Sequence, residues 1–147
     1  MDIIGKWLHG RIEHIGSTSI PGLTAKPVID IMFGVKSLED SKAAIELLMQ
    51  NEYNYFPYKK EVMHWFCKPS ANLRTHHLHL VPYESTLWKE RIRFRDILRI
   101  NTKIASEYVK LKKELATRYK QDREIYTEKK WKFIQRVLNI NSESIKP

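Results

Sequence analysis

The sequence predicts an α+β domain in which a mixed β-sheet is followed by about three helices. Before Pro82 the apolar residues come in short, β-branched runs bounded by Gly, Pro and Ser, the pattern of strands. After Pro82 they recur at three- and four-residue steps, the pattern of amphipathic helices. The chain has 147 residues, of which 42% are apolar, which suits one domain with a core of its own. The expected division is a single domain over 1–147, with a sheet part at 1–84 and a helical part at 85–140.

In order along the chain, Arg11–Ile15 and Pro27–Val35 read as strands. The small, turn-forming residues from Gly16 to Lys26 between them read as a loop holding about one helical turn. Ser37 and Asp40 have the spacing of a capping box, with Asp in place of Glu or Gln. They precede a helix that runs to about Gln50 on Ala44, Ile45, Leu47 and Leu48. Tyr53–Tyr58, Glu61–Lys68 and Leu73–Val81 follow as an antiparallel meander. Ser85 or Thr86, then Asn101 or Thr102, then Asp122 are N-caps for three helices. Their inward stripes are Leu87, Phe94, Ile97 and Leu98; Ile104, Tyr108, Leu111, Leu115 and Tyr119; and Tyr126, Phe133, Ile134, Val137 and Leu138. Trp65, Trp88 and Trp131 are expected in the core or between helices, and Asn141–Pro147 as a frayed tail.

Composition excludes several classes. The lone Cys67 forms no internal disulfide and no thiolate zinc site, and it reads as an inert buried thiol. No apolar run is long enough for a membrane helix and no cleavable leader is visible, so a soluble, cytoplasmic protein without a membrane partner is expected. The net charge of +9 is carried by residues 89–136, with 16 basic and 7 acidic side chains, whereas residues 1–88 have 9 of each. Such a part suits phosphates, an acidic partner or nucleic acid, and equally a solvated Lys-rich helical surface. Its aromatics sit at buried helical positions and not as a stacking platform, which counts against nucleic acid.

The chemistry-bearing stretch is the loop and its flanking strands. Gly16 permits close backbone approach, and the N–H groups and hydroxyls of Ser17 and Thr18 are suited to cradle a phosphate. Strand alternation puts Ile29, Ile31, Phe33 and Val35 on a core face and Asp30 on the other, with Val28, Met32 and Gly34. A carboxylate in so apolar a strand is costly unless it is paired or holds a metal. On Leu73–Val81, Thr75, His77, His79 and Val81 share one face, so His77 and His79 would flank Asp30 if the two strands were neighbours.

The stretch His14-Ile-Gly-Ser-Thr-x-x-Pro-Gly-Leu-x-x-Lys-Pro-x-x-Asp-Ile31 resembles the GrpB family, and Gly-Ser followed by a strand-borne Asp resembles the wider nucleotidyltransferase superfamily of polymerase-β-like fold. The likeness continues through Arg74-Thr-His-His-Leu-His-Leu-Val81, Phe94-Arg-Asp-x-Leu-Arg99, Tyr108-x-x-Leu-Lys112-x-x-Leu-Ala116 and Asp122-Arg-x-x-Tyr-Thr-x-x-Lys129. It implies a nucleotidyltransferase-like sheet and transfer of a nucleotidyl group from a nucleoside triphosphate, with Asp30 positioning a divalent metal, Mg²⁺ or Mn²⁺. Relatives usually begin with a longer leader and a first helix; here that helix is expected to be short, with part of the first packing layer missing.

The superfamily usually sets a second acid two residues after the first, and here that position is Met32, which offers no hard oxygen to Mg²⁺. His77 and His79 would complete a site with Asp30, either as metal ligands or as hydrogen-bonding donors to phosphate. Lys26 is a phosphate contact or the salt-bridge partner of Asp30, and His14 braces the loop. Arg91, Arg95 and Arg99 lie at four-residue steps on one helix face, for anion binding or for pairing with Asp96 and other acids. By resemblance, Lys112, Tyr126 and Lys129 would close the cleft from the helical side. Three functions stay open: metal-dependent nucleotidyl transfer, a nucleotide- or phosphate-binding module without chemistry, and, last, nucleic-acid binding.

Overall fold

The computed structural model describes residues 2–20, 22, 28–70 and 73–140. Five strands form one sheet: β1 (Ile12–Ile15), β2 (Ile29–Val35), β3 (Asn54–Phe56), β4 (His64–Pro69) and β5 (Arg74–Pro82), in the order β1-β2-β5-β4-β3. β2 and β5 run parallel at its centre, and every other neighbouring pair is antiparallel, so β3, β4 and β5 are the expected meander. Between β2 and β3 comes helix α1 (Lys42–Met49), and after the sheet come α2 (Thr86–Ile100), α3 (Thr102–Arg118) and α4 (Arg123–Leu138). The architecture is the mixed α+β arrangement with three helices after the sheet. No helix among the described residues is long and apolar enough to cross a membrane.

The caps follow the sequence. The side chains of Asn101 and Asp122 accept from the N–H groups of Ile104 and Ile125 at 3.0 and 3.1 Å, satisfying donors that the first helical turn leaves unpaired. Ser85 Oγ accepts from Trp88 N–H at 3.3 Å. Ser37 Oγ accepts from Asp40 N–H as its spacing predicts, but this closes a turn and α1 begins only at Lys42.

The chain forms two compact units, Met1–Ser19 with Ala25–Arg91, and Ile20–Thr24 with Ile92–Pro147. The division falls inside α2 after Arg91, so the first turns of this helix belong with the sheet, beyond the expected boundary at residue 84. In the first unit, Phe33, Val35, Phe66, Leu78 and Leu80 on one sheet face pack with Ala44 and Leu48 of α1 and with Ile4 of a 3₁₀ segment, Asp2–Trp7. On the opposite face Met32, Met63, Val81 and Trp88 are also buried. Gly34 makes that closure possible, because a Cβ there would meet the His9 carbonyl oxygen and lie 3.4 Å from the Trp88 ring. The second unit has its own core of Ile20, Ile97, Leu98, Ile104, Ala105, Tyr108, Phe133 and Val137, with Tyr108 and Phe133 stacked at 5.6 Å. Trp131 departs from expectation and is 38% exposed. It precedes Phe133 by two residues, about 200° around the helix, which turns it away from the buried stripe.

Candidate functional site

The register of the parallel pair decides the site. Asp30 stands opposite His77 and Met32 opposite His79, and the next strand sets Cys67 and Trp65 beside the two histidines. Directly opposed residues share a face, so Asp30, His77 and His79 point to the same side of the sheet. His77 Nδ1 and His79 Nε2 lie 3.0 and 3.1 Å from the same oxygen, Asp30 Oδ1. Arg91, from the first turns of α2, brings NH1 to 2.6 Å from the other nitrogen of His79, Nδ1.

This chain of contacts has a single consistent hydrogen assignment. A guanidinium only donates, so His79 Nδ1 accepts, its proton sits on Nε2, and Nε2–H donates to Asp30. Burial, then the charge of Arg91, push His79 down to about 4 against the pull of Asp30, which keeps the ring neutral at pH 7. Burial works against the charge on Asp30, yet hydrogen bonds from both imidazoles outweigh it and hold the carboxyl well below the usual carboxylate range. Ionised Asp30 accepts only, so His77 Nδ1 also carries a proton and donates to it. His77 Nε2 is buried and has no hydrogen-bond partner among the described residues. The Trp65 ring borders it, with ring centroids 4.9 Å apart.

Gly16 closes the site from the end of β1. Its φ is +78°, and a Cβ at this position would come within 2.6 Å of Asp30 Oδ2. Only glycine lets the backbone bend this closely over the carboxylate. His14 Nε2 and Thr18 Oγ1 are hydrogen-bonded at 2.9 Å, which ties the strand to the 3₁₀ turn Ser17–Ser19. Ser19 Oγ donates to the Gly16 carbonyl at 2.5 Å and fixes the same bend.

A divalent ion held by Asp30, His77 and His79 does not fit this arrangement. Both nitrogens of His79 are engaged, one by the guanidinium and one by Asp30. A cation drawn to that ring would face Arg91 at close range. No group of three His, Cys, Asp or Glu side chains among the described residues is placed to hold a metal ion. Met32, where a second acid would sit, is fully buried.

Comparison with known proteins places the chain. The family model described as GrpB protein matches residues 2–139. The chain belongs to the GrpB family. It is 41% identical over 133 residues to the glutamate-rich protein GrpB of Alkalihalophilus pseudofirmus, covering 87% of this chain and 76% of that protein. It is 37% identical over 108 residues to the UPF0157 protein YqkA of Bacillus subtilis, covering 74% of this chain and 32% of that longer protein. The crystal structure of conserved protein GrpB from Enterococcus faecalis superposes with a TM-score of 0.72 at 31% identity, over 87% of this chain and 79% of that one.

Within this GrpB-family chain the remaining site expectations divide. Gly16, Asp30, His77 and His79 come together; Ser17 and Thr18 lie in the turn beside Gly16. Lys26 lies outside the described residues. Arg95, Arg99, Lys112 and Lys129 belong to the second unit. Arg95 is buried and pairs with Asp96 through Nε and NH2, each at 3.0 Å, the structural alternative to anion binding. Arg99 is exposed near the end of α2. The ammonium groups of Lys112 and Lys129 lie over the rings of Tyr108 and Tyr119 at 5.0 and 5.7 Å. Arg91, grouped by spacing with Arg95 and Arg99 for anion binding or acid pairing, instead turns to His79, a contact that spacing does not reveal. Cys67 is fully buried, and burial pushes its thiol upward despite the nearby Arg74 charge.

Proposed function

We propose that this chain binds a nucleoside triphosphate or a related phosphorylated small molecule at the Gly16 bend, on a nucleotidyltransferase-like scaffold, without a pair of protein-held metal ions. One observation carries the reading: the Gly16 backbone bends directly over an ionised carboxylate that two imidazoles hold by hydrogen bonds and whose charge Arg91 offsets from behind His79. A bare Asp30 would repel phosphate; a compensated one leaves the bend open to an anion. Any Mg²⁺ or Mn²⁺ would arrive with the triphosphate as part of the ligand. Titration calorimetry with ATP, GTP, CTP and UTP tests the reading. Saturable binding of at least one, weakened about tenfold or more by Gly16→Ala, is expected. No heat with any of the four at millimolar concentration would contradict it.

A further inference from the structure

The fixed hydrogen assignment leaves one atom over. His77 Nδ1 donates to Asp30, while Nε2 of the same ring is buried without a partner. Leaving such an atom unpaired is costly, and turning the ring over would break the bond to Asp30 without removing the deficit. An imidazole oriented by an ionised carboxylate, with a lone pair on its far nitrogen, is built to accept a proton. The carboxylate fixes the tautomer and stabilises the imidazolium that forms. The opposite arrangement at His79, where both nitrogens are occupied, makes that ring and Arg91 positioning residues that act through Asp30.

We infer that His77 Nε2 is the base of this site, taking the proton of a hydroxyl group as its oxygen attacks the phosphorus of the bound ligand. The inference rests on the phosphorylated-ligand reading above. The hydroxyl oxygen forms a bond to the α-phosphorus of a nucleoside triphosphate, and its proton passes to Nε2. The bond from α-phosphorus to the bridging oxygen breaks, and pyrophosphate leaves with that electron pair. Nothing is oxidised or reduced, and the imidazolium returns its proton to solvent. With water as the attacking hydroxyl, the products are nucleoside monophosphate and pyrophosphate, so the base is testable without the natural acceptor. Trp65, half-buried against the His77 ring, is the side chain that has to give way for the hydroxyl to reach Nε2.

The test measures pyrophosphate release from the four Mg²⁺–nucleoside triphosphates, with calorimetry of each on the same samples. The intact chain is expected to release pyrophosphate, and His77→Gln to slow release about 100-fold or more while changing Kd by less than about threefold. Arg91→Met, which leaves His77 in place but frees the His79 tautomer and uncovers the charge of Asp30, is expected to weaken triphosphate binding and, at saturating triphosphate, to slow release about tenfold. Release by His77→Gln at the rate of the intact chain would overturn the inference, and so would a triphosphate that binds without being cleaved. Absence of binding would remove the underlying reading itself, and calorimetry tells the two failures apart.

Discussion

Neighbouring residues of β5 serve two faces of one sheet under opposite rules. Leu78 and Leu80 enter a cluster in which each side chain touches several others, so burial is shared and non-directional. His77 and His79, one position away, enter a series in which every nitrogen has one partner or one role. The apolar face tolerates repacking at a graded cost. The polar face does not, because losing Arg91 frees the proton of His79 and losing either imidazole strips a hydrogen bond from buried Asp30. The first face supports stability, and the second carries the proposed chemistry.

The largest effect tests the first half of this contrast. Phe33 is fully buried in the apolar cluster, and Phe33→Ala should lower the unfolding free energy by about 3–5 kcal/mol in urea titrations. A loss below about 1 kcal/mol would mean the cluster is not the anchor of the fold.

Acid sharpens the contrast from the other side. His79 is held at about 4 in the fold, against about 6.5 when unfolded, so between these values the unfolded chain binds a proton that the fold refuses. Stability therefore falls as pH drops through that window, by on the order of 3 kcal/mol. Asp30, whose folded value is depressed, adds stability that is full above about 3.9 and is lost as pH falls further. Urea titrations from pH 7 to 4 should show the upper part of this loss in the intact chain and much less of it in His79→Gln. Equal slopes would show that His79 titrates alike in both states. The smallest effect is Gly16→Ala, which forces a Cβ toward Asp30 at positive φ and should cost about 1–2 kcal/mol, read as a few degrees in Tm.

What the sequence made legible was local. A two-residue alternation sets His77 and His79 on one face, an Asp in an apolar strand demands partners, and Asn101 and Asp122 announce helix starts by chemistry confined to one turn. Gly16 was legible as a close approach, though the atom it approaches was not. The parallel pairing of β2 with β5 was only a condition in the sequence, because register is decided by tertiary packing. Arg91 shows the limit of spacing. It shares a helical face with Arg95 and Arg99, yet the helix passes from one compact unit to the other just after it, and only packing turns its guanidinium to His79. The hydrogen bonding was hidden for the same reason: two histidines and an aspartate make a ligand set by composition, whereas packing joins them to one another and sets Arg91 against His79.

The nitrogen NMR spectrum of the histidine rings at pH 7 tests the central claim most directly, since it reports which ring nitrogens carry protons. With His77→Gln and His79→Gln for assignment, His79 should show a proton on Nε2 alone, and His77 a proton on Nδ1. A His79 ring protonated at Nδ1, or a His77 ring with its lone pair turned toward Asp30, would contradict the account.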